Sequence, residues 1–90
     1  MPSCQVTIIN KLGLHARASA KFVSVASSYP CEISIGRNAN TLSNGKNIMS
    51  VMMLAASKGT ELYISAEGEQ AEEALTALQK LIAERFAEEC

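Results

Sequence analysis

Residues 71–86 read AEEALTALQKLIAERF, and Ala71, Ala74, Leu75, Leu78, Leu81, Ile82 and Phe86 recur in it at three- and four-residue intervals. That period predicts a helix with one apolar stripe. Glu67, Glu69, Glu72 and Glu73 gather at its start, where carboxylates favour the positive end of the helix dipole. So one-sided a helix must lie on an apolar surface, and the upstream segments supply one. Cys4 to Ile8 alternates apolar and polar, Cys31, Ile33 and Ile35 do the same, and so do Leu62, Ile64 and Ala66 within Thr60 to Ala66, the two-residue period of half-buried strands. Ala39 to Leu42 reads as a short strand between the turns Gly36-Arg37-Asn38 and Ser43-Asn44-Gly45. Between the first two strands, Ala16 to Ser28 turns helical: Ala18, Phe22, Val25 and Ala26 share one face, and Arg17, Lys21, Ser24 and Ser28 another. Tyr29-Pro30 ends that helix, since proline disfavours helical backbone in the residue before it. Asn47 to Ala55 reads as a second, short helix, with Val51, Leu54 and Ala55 able to face the core, and Lys58-Gly59 as a turn. The order β-α-β-β-α-β-α implies an α+β two-layer fold, a four-stranded antiparallel sheet with three helices on one face.

The 90 residues suit a single domain, 1–90, with one small core. A net charge of −1 and 4% aromatic residues provide neither the basic stripe nor the stacking platforms of a nucleic-acid binder, and 48% hydrophobic content argues against disorder. Cys4, Cys31 and Cys90 are scattered and accompanied by one histidine, so neither a metal site nor a disulfide framework is expected; a reducing, cytoplasmic setting fits best. The longest apolar stretch, Ile48 to Ala56 interrupted by Ser50, is far shorter than the ~20 residues of a membrane helix, and no basic leader follows Met1. Neither membrane insertion nor a signal peptide is expected.

The one histidine, His15, lies between Gly13-Leu14 and Ala16-Arg17, where a loop becomes a helix. The first N–H groups of a helix lack internal partners and can hold an anion such as phosphate. Arg17 can add a guanidinium matched to phosphate oxygens, and Gly13 permits close backbone approach. A lone imidazole without neighbouring triad partners can itself be the nucleophile, and phosphoryl capture and release is the simplest chemistry it supports. Helix-end effects of roughly 0.3–2 kcal/mol and charged hydrogen bonds of about 1.5–3 kcal/mol would hold the group without trapping it.

The segment GLHARAS, preceded by Asn10-Lys11-Leu12 and followed by Phe22, resembles the active-site segment of the HPr family, the histidine-containing phosphocarriers of the bacterial phosphotransferase system. Lys46-Asn47-Ile48-Met49-Ser50-Val51-Met52-Met53-Leu54 resembles the family's K-S-I-M-G-V-M-x-L stretch, and the likeness spans nearly the whole chain. The resemblance implies an open-faced sandwich. It implies that His15 takes a phosphoryl group from enzyme I, itself charged by phosphoenolpyruvate, and passes it to a IIA domain. Arg17 becomes the charge partner, with the Ala16 and Arg17 amides near the phosphate. Ile48, Met49 and Met52, with Ala16, Ala20 and Arg17, would form the docking surface, rimmed by Lys21 and Lys46. A monomer needing no cofactor and forming transient complexes is implied.

Departures from the family pattern are few. Ala18 replaces the proline of H-A-R-P, and alanine keeps the helix. Asn47 stands where many relatives carry a kinase-phosphorylated serine; it can cap the short helix but offers no hydroxyl, so no phosphorylation is expected there. Ser50 replaces a usual glycine. Three alternatives compete. A nitrogen-branch carrier of the same family would charge a regulatory IIA protein, and a docking regulator would leave His15 incidental. A small phosphohydrolase is disfavoured, because the sequence offers neither a positioned acid–base pair nor a water-activating group.

Overall fold

The computed structural model describes residues 2–87. In chain order the elements are β1 (Ser3–Thr7), α1 (Ala16–Ser27), β2 (Glu32–Asn38), β3 (Thr41–Asn44), α2 (Ile48–Met52), β4 (Glu61–Glu67), α3 (Ala71–Ala83) and a 3-10 turn, Arg85–Ala87. The strands form one antiparallel sheet in the order β1-β4-β2-β3. β4, last in sequence, therefore lies between β1 and β2. The expected open-faced sandwich is the one observed.

Alternation decides which face is covered. Ile33 and Ile35 of β2 and Leu62, Ile64 and Ala66 of β4 point into the core, where they meet Ala18, Phe22 and Ala26 of α1 and Ala74, Leu75 and Leu78 of α3. The opposite face carries Gln5, Tyr63 and Gly36 in one cross-strand row and Ser3, Ser65, Ser34 and Asn44 in the next. Helices cover one side only.

Four boundaries differ from expectation. Gly36-Arg37-Asn38 belongs to β2, and the turn falls at 39–40, where Asn38 Oδ1 accepts the Asn40 amide at 3.0 Å. A register shift between Ile35 and Asn38 explains the glycine: a Cβ at Gly36 would overlap the Thr41 carbonyl oxygen and sit 3.0 Å from Leu42 Cδ2. The third strand thus runs Thr41–Asn44, not Ala39 to Leu42, and takes Ser43 and Asn44 out of the expected turn. α2 ends at Met52, and Ala55, expected to face the core, is exposed in left-handed backbone (φ 51°), while Ala56 is buried instead. α3 ends at Ala83; Arg85 and Phe86 are left-handed (φ 57° and 55°), yet Phe86 is fully buried. Phe86 therefore reaches the core through a reversal of the chain, not as the next residue on the helical stripe.

Left-handed backbone costs an L-residue about 1–2 kcal/mol, whereas glycine is indifferent but loses more entropy on folding. Ala55→Gly is therefore expected to stabilise the protein by about 0.5 kcal/mol, raising Tm by roughly 2–4 °C in thermal unfolding. A lower Tm would show that the glycine's extra freedom in the unfolded chain outweighs the relief.

Candidate functional site

The chain reaches α1 through a tightly braced loop. Asn10 Nδ2 donates to the Gly13 carbonyl at 2.8 Å, and the Gly13 amide donates to the Asn10 carbonyl at 3.2 Å, which closes the turn on itself. The Leu14 amide donates to the Ala56 carbonyl at 2.8 Å, joining this turn to the segment after α2. Gly13 has φ 69°, and a Cβ there would collide with the Ala56 carbonyl oxygen and lie 2.8 Å from Ser57 Cα. The close approach that requires glycine is therefore to residues 56–57 of the chain itself.

That bracing sets His15 at the N-cap of α1, in extended backbone (φ −74°, ψ 179°) and half-buried. Its carbonyl accepts the Ser19 amide at 2.8 Å, the first turn of the helix, but its side chain does not cap that turn. The amides of Ala16, Arg17 and Ala18 precede the first intrahelical donor and so have no acceptor within α1. Ala16 and Arg17 are exposed, whereas Ala18 is buried in the core. Ser19, fully buried, donates its hydroxyl to the Leu14 carbonyl at 3.2 Å and thereby ties the first turn back to the loop. Asn10, Ser19 and Ala56 escape a reading for reactive groups because they act on the backbone. Ser19 alone leaves a trace in the sequence: it shares the apolar face of α1 with Ala18 and Phe22, where a hydroxyl must find a carbonyl.

α2 packs against α1, and the segment that follows it returns to Leu14, the residue before His15. At its entry, Lys46 Nζ donates to the Tyr29 carbonyl, just past the end of α1, at 2.7 Å. At its exit, the Ala56 carbonyl holds Leu14, and Arg37 Nη2 donates to the Ala55 carbonyl at 3.3 Å. Asn47 caps α2 as expected, its Oδ1 accepting the Ser50 amide at 3.1 Å.

Of the expected docking residues, Ala16, Arg17 and Ala20 of α1 are exposed, and on α2 Met49 is 63% exposed and Ile48 and Met52 are each 38% exposed. Val51 is the buried side of that short helix. Met53, on the same apolar segment, is 79% exposed, and Leu12, three residues before His15, is 68% exposed. Lys21 and Lys46 are half-buried and do more than rim this surface. Lys21 Nζ donates to the Phe86 carbonyl at 2.6 Å, and Lys46 is the tie to Tyr29 already described. Arg17 is the exposed cation of the three.

Other groups stand apart from this chemistry. Cys31 is buried, and burial pushes the half-buried Cys4 thiol above its ordinary value, which disfavours the thiolate; Cys90 lies outside the described residues. Among the described residues no cluster of His, Cys, Asp and Glu could hold a metal ion, and no helix is long and apolar enough to cross a membrane.

Comparison with known proteins bears on the family. Residues 2–84 match the family model described as the PTS HPr component phosphorylation site. The chain is 61% identical over 88 residues to the phosphocarrier protein HPr of Pseudomonas aeruginosa, covering 98% of both chains. It is 48% identical over 82 residues to that of Cupriavidus necator, covering 91% of each. Among solved structures, HPr-C-His from Thermoanaerobacter tengcongensis superposes with a TM-score of 0.93 at 42% identity, with 100% of both chains covered. HPr from Bacillus anthracis gives 0.83 at 37% identity, covering 90% of this chain and 95% of its own. A histidine set before the open amides of a helix, on this sandwich and with these relatives, makes the chain a member of the HPr family of phosphocarrier proteins of the phosphotransferase system.

Proposed function

We propose that His15 accepts a phosphoryl group from phosphorylated enzyme I and delivers it to a IIA domain. The observation that carries this reading is the placement of His15: half-buried at the N-cap of α1, its ring not used as the cap, beside exposed Ala16 and Arg17. In the first transfer an imidazole nitrogen of His15 forms a bond to phosphorus as the donor's bond to phosphorus breaks. In the second, that new bond breaks towards the acceptor. Between the two, the Ala16 and Arg17 amides and the Arg17 guanidinium stabilise the phosphoryl oxygens, and docking uses the apolar surface of Ile48, Met49 and Met52 with Ala20.

Incubation with enzyme I and phosphoenolpyruvate, followed by mapping of acid-labile phosphate, is expected to place one phosphoryl group on His15. Absence of label under conditions that charge a control carrier would overturn the proposal. Two substitutions separate chemistry from docking. Arg17→Ala removes a charged hydrogen bond of about 1.5–3 kcal/mol and is expected to slow transfer about tenfold to a hundredfold, with the fold unchanged. Met49→Glu puts a charge into the apolar surface and is expected to raise the KM for the carrier about tenfold while leaving the maximal rate near normal. Both are read in a coupled assay with carrier concentration varied.

A further inference from the structure

Met49, Met52 and Met53 gather on α2 and its C-cap, and the chain's other methionine, Met1, lies outside the described residues. Met53 keeps helical backbone (φ −66°, ψ −14°), so the three occupy i, i+3 and i+4 positions and their thioethers are neighbours on one face. All three are exposed, Met53 most, then Met49, then Met52. The described thiols, which ordinarily compete for a two-electron oxidant, are withdrawn: Cys31 is buried, and burial disfavours the thiolate of half-buried Cys4. The hold on α2 is made by other groups. Val51 is its buried side, Asn47 Oδ1 caps its first turn, and Lys46 Nζ and the Ala56 carbonyl tie the segments at its two ends.

We infer that Met49, Met52 and Met53 form a reversible oxidation site for peroxide, at which conversion to sulfoxides weakens docking while leaving the fold and His15 intact. The thioether sulfur attacks one peroxide oxygen, and a sulfur–oxygen bond forms as the oxygen–oxygen bond breaks. The departing hydroxide takes a proton and leaves as water, so sulfur is oxidised by two electrons and the peroxide is reduced by the same two. A flexible apolar side chain thereby becomes a polar, chiral one, and a thiol-dependent reductase can reverse the change. Three such changes side by side turn an apolar contact surface into a polar one. Because α2 is held through Val51, its cap and its flanking ties, that change falls on the outer surface and not on the core. The inference rests on the docking role proposed above for α2.

The full-length protein is incubated with hydrogen peroxide for graded times and then with dithiothreitol, which reduces disulfides and sulfenic acids but leaves sulfoxides. Each sample is divided between peptide mass mapping and the coupled enzyme I assay with carrier concentration varied. Met53 and Met49 are expected to oxidise before Met52, and the KM for the carrier to rise about tenfold as the sulfoxides accumulate, with the maximal rate near normal. Thermal unfolding should move by no more than a few degrees. Treatment with methionine sulfoxide reductases A and B and a thiol reductant should restore the starting KM, which damage to His15 would prevent. Met49→Leu, Met52→Leu and Met53→Leu combined conserve volume without a thioether. Measured against its own untreated form, that variant should change less than about twofold on the same exposure. Full sulfoxidation with KM unchanged, an equal loss in the leucine variant, or no recovery with the reductases would each overturn the inference; should the leucine variant not fold, the reductase result decides. An untreated protein that takes no phosphate on His15 overturns the carrier reading as well, whereas normal phosphorylation before and after oxidation overturns this inference alone.

Discussion

With His15→Ala, phosphoryl acceptance from enzyme I is expected to fall by more than about a thousandfold, to the background of the assay. The substitution removes the proposed nucleophile itself, and among the described residues the two cysteines are poor replacements: Cys31 is buried, and burial pushes the Cys4 thiol up. The fold should survive, because the residue 15 carbonyl, not the imidazole, accepts the first helical amide, and the ring does not cap α1. Thermal unfolding should therefore move by no more than a few degrees, consistent with a change at a half-buried site of about 0.5 kcal/mol. A variant that folds normally and still takes up acid-labile phosphate at an appreciable rate would place the acceptor elsewhere.

Gly13→Ala is expected to produce the largest loss of stability among single-methyl additions in the His15 loop. The φ of 69° costs any L-side chain about 1–2 kcal/mol. The added carbon would also meet the Ala56 carbonyl oxygen and Ser57 Cα, which are backbone and cannot swing aside as the end of a flexible side chain could. Relief requires the loop to withdraw from residues 56–57, stretching the 2.8 Å bond between the Leu14 amide and the Ala56 carbonyl. Together these costs come to about 3 kcal/mol or more, a fall in Tm of roughly 10–20 °C. Because the same movement carries His15 away from its place at α1, phosphoryl transfer at a temperature where the variant is folded should also slow, by about tenfold to a hundredfold. Gly59→Ala is the control: φ there is 92°, but an added Cβ meets nothing within 4 Å, so only the conformational cost of about 1 kcal/mol applies. If the two variants lose equal stability, close packing at Gly13 is not the cause.

Much of this was legible in the amino-acid order because the relevant signals are periodic. Ala74, Leu75, Leu78 and Ile82 sit on the buried side of α3, and Leu62, Ile64 and Ala66 on the buried side of β4, where their spacing puts them. His15 at the start of α1 and Asn47 as the cap of α2 follow from local chemistry of the same kind. The boundary errors arise where a distant backbone decides. Gly36 looks like a turn residue, yet it lies in β2 paired with Tyr63, and it is glycine because Thr41 passes too close for a side chain. Lys21 and Lys46 look like solvated charges, but each ammonium reaches a carbonyl that periodicity cannot locate, 65 and 17 residues away in sequence. Likewise nothing near Leu14 in sequence announces the Ala56 carbonyl, 42 positions downstream, which holds the residue before the histidine.

The segments flanking α2 are tied to those flanking α1 at both ends, through Lys46 and Tyr29 on one side and Ala56 and Leu14 on the other, and this bears on how quickly the proposed partners could come and go. A surface already set in its bound shape loses little freedom when a cleft closes on it, so encounters need no slow rearrangement before or after chemistry. In the proposed relay, such a surface would leave the pace of exchange to diffusion and to the clefts of the enzymes visited. Discrimination among acceptors would then sit in those clefts and not in the carrier.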